Sequence, residues 1–406
     1  MTLKNIYSFA FIIFLSSVFS ISVKSQIISG QVVSAEDKKP LGFCNVFLNN
    51  TQKGTMTDEQ GKFVLSGLAN GAYELIVSYI GYYTYVANIK IQGEIIDLRI
   101  ELKPNTIQLE EIVVKEDKNW KYNYETFVRN FIGETPLGSQ CEITNPDILN
   151  IRFYVDSALL KVKAKEPLVI ENKALGYRIK YLLEEFRMEF KSGYLGFYGY
   201  AFFEEIKTGN IKQVKKWEKN RQEAYLGSSL HFIRSLHQKN LENEGFIARK
   251  LIRKPNPDRK PEEVIRQAMR GLAKSNIHFD SDTMTYWRKE AAKPKIIETL
   301  VAKPLAVDSL ITQVDSISVL RFTDYLHVVY TKEKEDNAYL AFSGNPNRNR
   351  GYQTSVIDLL KPYAVIEPNG VLQDPLAWLF EGYWAWQEKI AELLPLDYQL
   401  VKPNDR

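Results

Sequence analysis

The run Gly227-Ser-Ser-Leu-His231 is where this sequence comes nearest to catalytic chemistry. A serine hydroxyl attacks a carbonyl only when a neighbouring base takes its proton, and histidine is the usual base. Asn220, Arg221, Ser229 and His231 form the best polar constellation the chain offers. The run lacks the Gly-x-Ser-x-Gly elbow that exposes a hydrolase serine, so a packing pair on one helix accounts for it equally well. Metal chemistry has less support. The histidines are His231, His237, His278 and His327, and three positions downstream stand Arg234, Asn240, Ser281 and Tyr330. None is the Glu of a zinc site, and there is no His-Glu-x-x-His. Asp58-Glu59 supplies too few oxygens for calcium. Glu184-Glu185 and Glu204-Glu205 are neighbours in strand-like stretches, so each pair points to opposite faces. Ser343–Gly351 lacks the Gly-Lys-Ser/Thr end of a phosphate loop. No cofactor is expected.

A second kind of chemistry is stacking. Trp378-Leu-Phe-Glu-Gly-Tyr383-Trp384-Ala-Trp386 could present Tyr383, Trp384 and Trp386 to sugar rings. The competing role is a terminal helix that packs its aromatics inward. The cluster Lys212, Lys215, Lys216, Lys219 and Arg221 around Trp217 could meet an anion or lipopolysaccharide. Glu218 and Glu223 offset it, and a solvated helix face is the reading taken.

The elements that must hold these residues are legible in outline. Residues 119–135 have a helical pattern with Trp120, Tyr124, Phe127 and Phe131 on one face. Residues 151–155, 159–163, 177–181, 186–190 and 198–203 mostly alternate apolar and polar, which predicts an antiparallel sheet with one wet face. Lys212 to Asn243 reads as two helices broken near Gly227. A strand follows at 246–253, and a helix starts at Pro261. Residues 291–316 read as irregular. Strands are expected at 320–331, 339–343 and 354–359.

The chain has 406 residues, 53 basic and 49 acidic side chains. The length suits two or three domains, and the balanced charge argues against a nucleic-acid partner. Lys4 precedes an apolar run from Ile6 to Val23, and Val23 and Ser25 suit a signal-peptidase site before Gln26. Residues 1–25 are therefore read as a signal peptide, leaving no transmembrane segment after cleavage. The two cysteines, Cys44 and Cys141, are expected to stay unpaired.

From Ile27 to Leu102, short apolar runs alternate with Gly, Asn and Asp turns about every ten residues, the pattern of a small all-β sandwich. Gly30, Pro40-Leu41, Val46, Thr51, Gly54, Thr57-Asp58, Gly61, Phe63, Gly71, Tyr73, Leu75 and Gly81-Tyr82 stand in order there. On these residues the segment resembles the carboxypeptidase regulatory-like domain of exported Bacteroidetes proteins. Leu109-Glu-Glu-Ile-Val-Val114 is similar to the stretch that follows this module in TonB-dependent receptors. The remaining residues are too few for a plug and a large barrel. The resemblance implies an accessory sandwich and brings no peptidase. The stretches 172–179, 219–221, 225–232 and 393–398 resemble a group of Bacteroidetes proteins to which no activity attaches.

The expected organisation is a signal peptide at 1–25, a sandwich at 26–103, a linker at 104–118 and an α+β domain at 119–406. The expected fold class is all-β plus α+β, with an antiparallel sheet and helices in the larger domain. The function expected is non-catalytic: an exported module of the periplasm or outer membrane that binds or assembles with envelope protein or glycan. The rival is a hydrolase using Ser229 and His231.

Overall fold

The computed structural model describes residues 26–93, 95–105, 119–274, 282–315 and 317–400. The signal-peptide reading, most of the linker, the Leu109–Val114 tail and His278 lie outside the described residues. The chain divides into two compact units, Met1–Val113 and Val114–Arg406.

The first unit contains β1 (Gln26–Ser34), β2 (Asn45–Leu48), β3 (Gly54–Met56), β4 (Lys62–Leu68), β5 (Gly71–Ser78), β6 (Tyr85–Ile91) and β7 (Ile96–Leu102). One sheet has the order β4-β1-β7 and the other β3-β2-β5-β6. Strand β1 pairs antiparallel with β4 and parallel with β7. Alternating side chains from both sheets meet between them. Ile28, Val32, Val46, Leu48, Phe63, Leu65, Leu75 and Ile100 are buried in one core. The turn before β4 forms as its residues require. Asp58 Oδ1 accepts from the Gln60 and Lys62 amides at 2.9 and 2.8 Å, and Gly61 takes φ +72°. That φ favours glycine. Asp58 therefore acts as a turn residue. Cys44 is buried here, and burial pushes its thiol up to about 11. Cys141 lies in the second unit, and both thiols are free.

The second unit begins with α1 (Trp120–Phe131). Strands β8 (Cys141–Ile143), β9 (Leu149–Tyr154), β10 (Leu159–Ala164), β11 (Leu168–Asn172), β12 (Tyr177–Glu189) and β13 (Tyr194–Glu205) follow. The two expected strands at 177–181 and 186–190 are one 13-residue strand, β12. A bulge at Leu183/Glu185 lets it run through unbroken against β13. Its first half pairs with β11 and its second with β10. Helix α1 covers one face. Phe127 and Phe131, one turn apart, are fully buried, and Phe127 meets Phe186 edge-on at 4.9 Å. The other face stays open, as alternation predicts.

Then come α2 (Ile211–Tyr225), α3 (Ser229–His237), α4 (Leu241–Glu244), β14 (Phe246–Pro255), α5 (Glu262–Lys274) and α6 (Asp282–Ala292). They are followed by β15 (Ile296–Leu300), α7 (Val307–Leu310), β16 (Ile311–Val314), β17 (Ile317–Leu320) and β18 (Tyr325–Lys334). The last elements are α8 (Asn337–Phe342), β19 (Tyr352–Leu359), β20 (Ala364–Ile366), β21 (Trp378–Gly382) and α9 (Tyr383–Gln387). A five-stranded sheet has the order β15-β14-β18-β19-β21, and β16-β17-β20 forms a smaller one.

Four expectations change here. The segment 291–316 is not irregular, because β15 pairs with β14. The expected strand at 320–331 is split between β17 and β18, with Asp324 at φ +62° in the connection. The expected strand at 339–343 is helix α8, whose start Asp336 caps by accepting from the Ala338 amide at 2.7 Å. The expected terminal helix is divided at Gly382, which has φ +74°. Residues before it pair with β19 as β21, and only those after it are helical.

Candidate functional site

The second unit has two cores. Phe127, Phe186, Tyr225 and Ile390 belong to the first, and Phe232, Phe246, Leu326 and Trp384 to the second. The chain crosses between them twice, at residues 225–232 and 384–390. The candidate site residues Asn220, Arg221, Ser229, His231, Tyr383, Trp384 and Trp386 lie at or beside this seam.

Asn220 and Arg221 are on α2. Asn220 Nδ2 donates to the Ala174 carbonyl at 2.7 Å. Arg221 Nε donates to the Leu175 carbonyl at 2.8 Å, and Nη1 donates to Glu205 at 2.8 Å. Its guanidinium lies 4.0 Å from the Tyr177 ring centre. Beside them, Trp217 is buried and its Nε1 donates to the Lys173 carbonyl at 2.8 Å. These three side chains hold the β11–β12 turn. Gly176 in that turn has φ +72°, and a Cβ there would stand 2.3 Å from the Trp217 ring. The basic cluster around Trp217 thus has a packed inner edge.

Ser229 and His231 start α3, but they face different partners. Ser229 donates its backbone N–H to Glu388 Oε1 and its hydroxyl to Oε2, both at 2.8 Å. Glu388 therefore caps the first turn of α3, where amides lack helical partners. His231 Nδ1 accepts from the Gly227 amide at 3.1 Å, which leaves the ring proton on Nε2. Nε2 lies 3.2 Å from Glu244 Oε2. The ring is 3% exposed and packs against Tyr225, Phe246 and Tyr330. Burial lowers its pKa against the pull of Glu244, which favours the neutral ring. No hydrogen bond joins Ser229 to His231, and Asn220 and Arg221 face the turn instead. The four residues share a neighbourhood and do not converge on one reacting atom.

Tyr383, Trp384 and Trp386 are 4, 2 and 4% exposed. Trp384 Nε1 donates to the Gly227 carbonyl at 2.8 Å, and its ring meets Phe232 and Phe380. Tyr383 and Trp386 pack with Tyr339 of α8. Their faces are covered by protein. A sugar platform needs one open face, and these rings have none.

Sequence reasoning missed the ionisable residues just downstream. Burial raises the Glu388 carboxyl, pushes Glu392 up to about 7 and lowers Lys389 to about 8. Lys389 Nζ sits 5.7 Å from the Phe197 ring centre. Among the described residues, Trp386 Nε1, Gln387 Oε1 and Gln353 Oε1 are buried with no partner. The only signal was a polar Gln-Glu-Lys run directly after an aromatic cluster. The Ser229 hydroxyl at this seam is held by a capping carboxylate, and that of Ser228 donates to the Tyr225 carbonyl at 2.7 Å.

Rings are exposed elsewhere. Phe153, Tyr154, Phe190 and Tyr194 are 40, 44, 42 and 37% exposed, all at the β9–β10 and β12–β13 end of the first sheet. Phe153 and Phe190 meet edge-on at 5.7 Å. Phe153, in register with the core residue Leu160, lies with Phe190 on the α1 side, whereas Tyr154 and Tyr194 lie on the opposite face, so this sheet end carries one exposed ring pair on each face.

Residues 28–114 match the CarboxypepD_reg-like domain. That match covers the sandwich and extends across the Leu109–Val114 tail. No curated protein sequence matches the chain. A mutant type II cohesin–X-dockerin complex from Acetivibrio cellulolyticus is 20% identical, with TM-score 0.18 over 19% of this chain and 56% of that one. The major pilin subunit of Bacillus cereus is 16% identical, with TM-score 0.18 over 20% of this chain and 30% of that one. A putative carbohydrate binding protein from Bacteroides uniformis is 7% identical, with TM-score 0.17 over 44% of this chain and 78% of that one. Likenesses this slight carry no argument about function. No helix among the described residues is long and apolar enough to cross a membrane.

Proposed function

We propose that this chain is a non-catalytic, exported module of the cell envelope that binds or assembles with protein or glycan. The observation that carries this reading is the contrast in exposure. The side chains best suited to chemistry are engaged in holding turns and helix ends, whereas Tyr154 and Tyr194 stand exposed on the open face at one end of the first sheet. Binding sites are commonly such aromatic patches on a fixed scaffold. The accessory sandwich in the first unit and the signal-peptide pattern of residues 1–25 support the same reading.

The test uses the mature protein, from Gln26 onward. Retention of an envelope protein or a polysaccharide, weakened by Tyr154→Ala with Tyr194→Ala, is the expected result. Turnover of a model ester or peptide that His231→Ala abolishes, with neither ligand retained, would overturn the reading in favour of the hydrolase.

A further inference from the structure

The open face of the first sheet carries an arrangement that its folding does not explain. Strand register aligns Arg152 of β9 with Lys161 of β10, Lys161 with Arg187 of β12, and Arg187 with Gly196 of β13. Their neighbours Ile151, Val162, Phe186 and Phe197 point into the core with α1, so these three cations point away from it. Like charges directly opposite one another destabilise a sheet. Arg187 pairs with Glu189, yet its Nε is buried without a partner. Arg152 and Lys161 make no ion pair among the described residues, whereas Lys163, the next cation along β10, is attracted to Glu184. The nearby carboxylates are Glu189, Glu184 and Glu185, and the last two lie at the bulge.

Aromatic rings flank this row. In the adjacent register row, Tyr154 and Tyr194 stand at opposite ends, on β9 and β13. Lys161 Nζ is 6.0 Å from the Tyr154 ring centre. Tyr194 lies back along its own strand. A Cβ on Gly196 would come within 2.6 Å of its hydroxyl and 3.0 Å of its ring carbons, so only glycine lets the ring rest there. Tyr198 continues the same face on the far side of Gly196.

We propose that this face binds an acidic polysaccharide carrying a carboxylate on successive sugar units, laid across β9, β10, β12 and β13. The inference rests on the binding reading above and names its ligand class. Neighbouring strands are about 4.8 Å apart, so the row offers evenly spaced cations to a regularly charged chain rather than one deep pocket to a single anion. Arg forms paired bonds to a planar carboxylate, and Lys adds a point charge. Tyr154 and Tyr194 supply apolar faces for sugar rings at the two ends of the adjacent row, with Glu189, the partner of Arg187, between them. The ligand supplies the negative charge that the protein leaves out.

The experiment measures binding of the mature protein to polygalacturonate, to dextran as a neutral control, and to a single-stranded oligonucleotide as a polyanion without sugar acids. Polygalacturonate should bind, weaken with added salt and weaken about tenfold in Lys161→Glu. Dextran and the oligonucleotide should bind at least about tenfold more weakly. Arg152→Gln with Lys161→Gln is the second variant, and thermal unfolding confirms that both variants fold. Equal or tighter oligonucleotide binding overturns the saccharide assignment. Polygalacturonate binding that folded Lys161→Glu leaves unchanged overturns the site. Failure to bind any polysaccharide, with an envelope protein still retained through Tyr154 and Tyr194, overturns this inference and leaves the broader binding reading standing.

Discussion

The seam and the open face of the first sheet use the same residue types for opposite ends. At the seam, Trp384 and Trp386 are interior. Arg234 there donates to the carbonyls of Asn369, Tyr398 and Leu396 at 3.1, 3.0 and 2.7 Å. On the sheet face, Tyr154 and Tyr194 are exposed, and Arg152 and Lys161 have no carboxylate partner among the described residues. Aromatic and basic content cannot distinguish these cases. Position relative to the core does: the seam is where the chain passes between two cores, whereas the face is the side of a sheet that has only one.

Breaking the seam should have the largest effect. Trp384→Ala removes a ring enclosed by Phe232 and Phe380 and should cost about 3–5 kcal/mol, read as a fall in denaturation midpoint. A loss under about 1 kcal/mol would mean that the second core closes without it. Arg234→Ala leaves three carbonyls without their donor and should cost about 2–3 kcal/mol, with the segment 396–398 becoming sensitive to protease.

The pH dependence is a smaller effect with a definite sign. Burial raises Glu392 from 4.5 to about 7, so the folded state binds more protons than the unfolded one between those values. Stability from this group is complete below pH 4.5 and is lost as pH rises through 7. Discounted for partial exposure, the loss is about 1–2 kcal/mol, and Glu392→Gln should flatten it. Unchanged pH dependence in that variant would place the titration elsewhere. Lys389 has the opposite sign, its stability contribution present above 10.5 and lost as pH falls through about 8. On the sheet face, Tyr194→Ala should change stability by no more than about 0.5 kcal/mol while weakening binding. A large destabilisation there would make Tyr194 a structural residue and remove the contrast.

How much of this could be read in advance varied with the range of the forces involved. The turn at Asp58–Gly61, the inward face of α1 and the wet face of the first sheet follow from local spacing, and each formed. Residues 339–343 are a short, mostly apolar run that suits a buried strand, but a capping Asp and the burial of Tyr339 and Leu340 made them helical. Residues 378–382 pair with β19, some twenty positions away, a contact no local pattern reveals. Ser229 and His231 looked like a couple because they are near in sequence. Their partners, Glu388 and Glu244, were set by contacts of very different range, 159 and 13 residues away. The row of cations was invisible for a related reason: Arg152, Lys161 and Arg187 meet only once three strands are in register.

The first core has a further consequence for how the chain acquires its shape. Asn172 donates to the carbonyl of Ala391, and Ala391 donates to the carbonyl of Ile132. Ile390 and Leu394 complete the core that Phe127 and Phe131 began. The entire five-stranded sheet lies between these segments in the chain, as an insertion within an interrupted fold. Such closure has a high contact order and is intrinsically slow. During synthesis, the first sheet is made early but must wait, with Phe127 and Phe131 incompletely covered, until the final helical turns arrive.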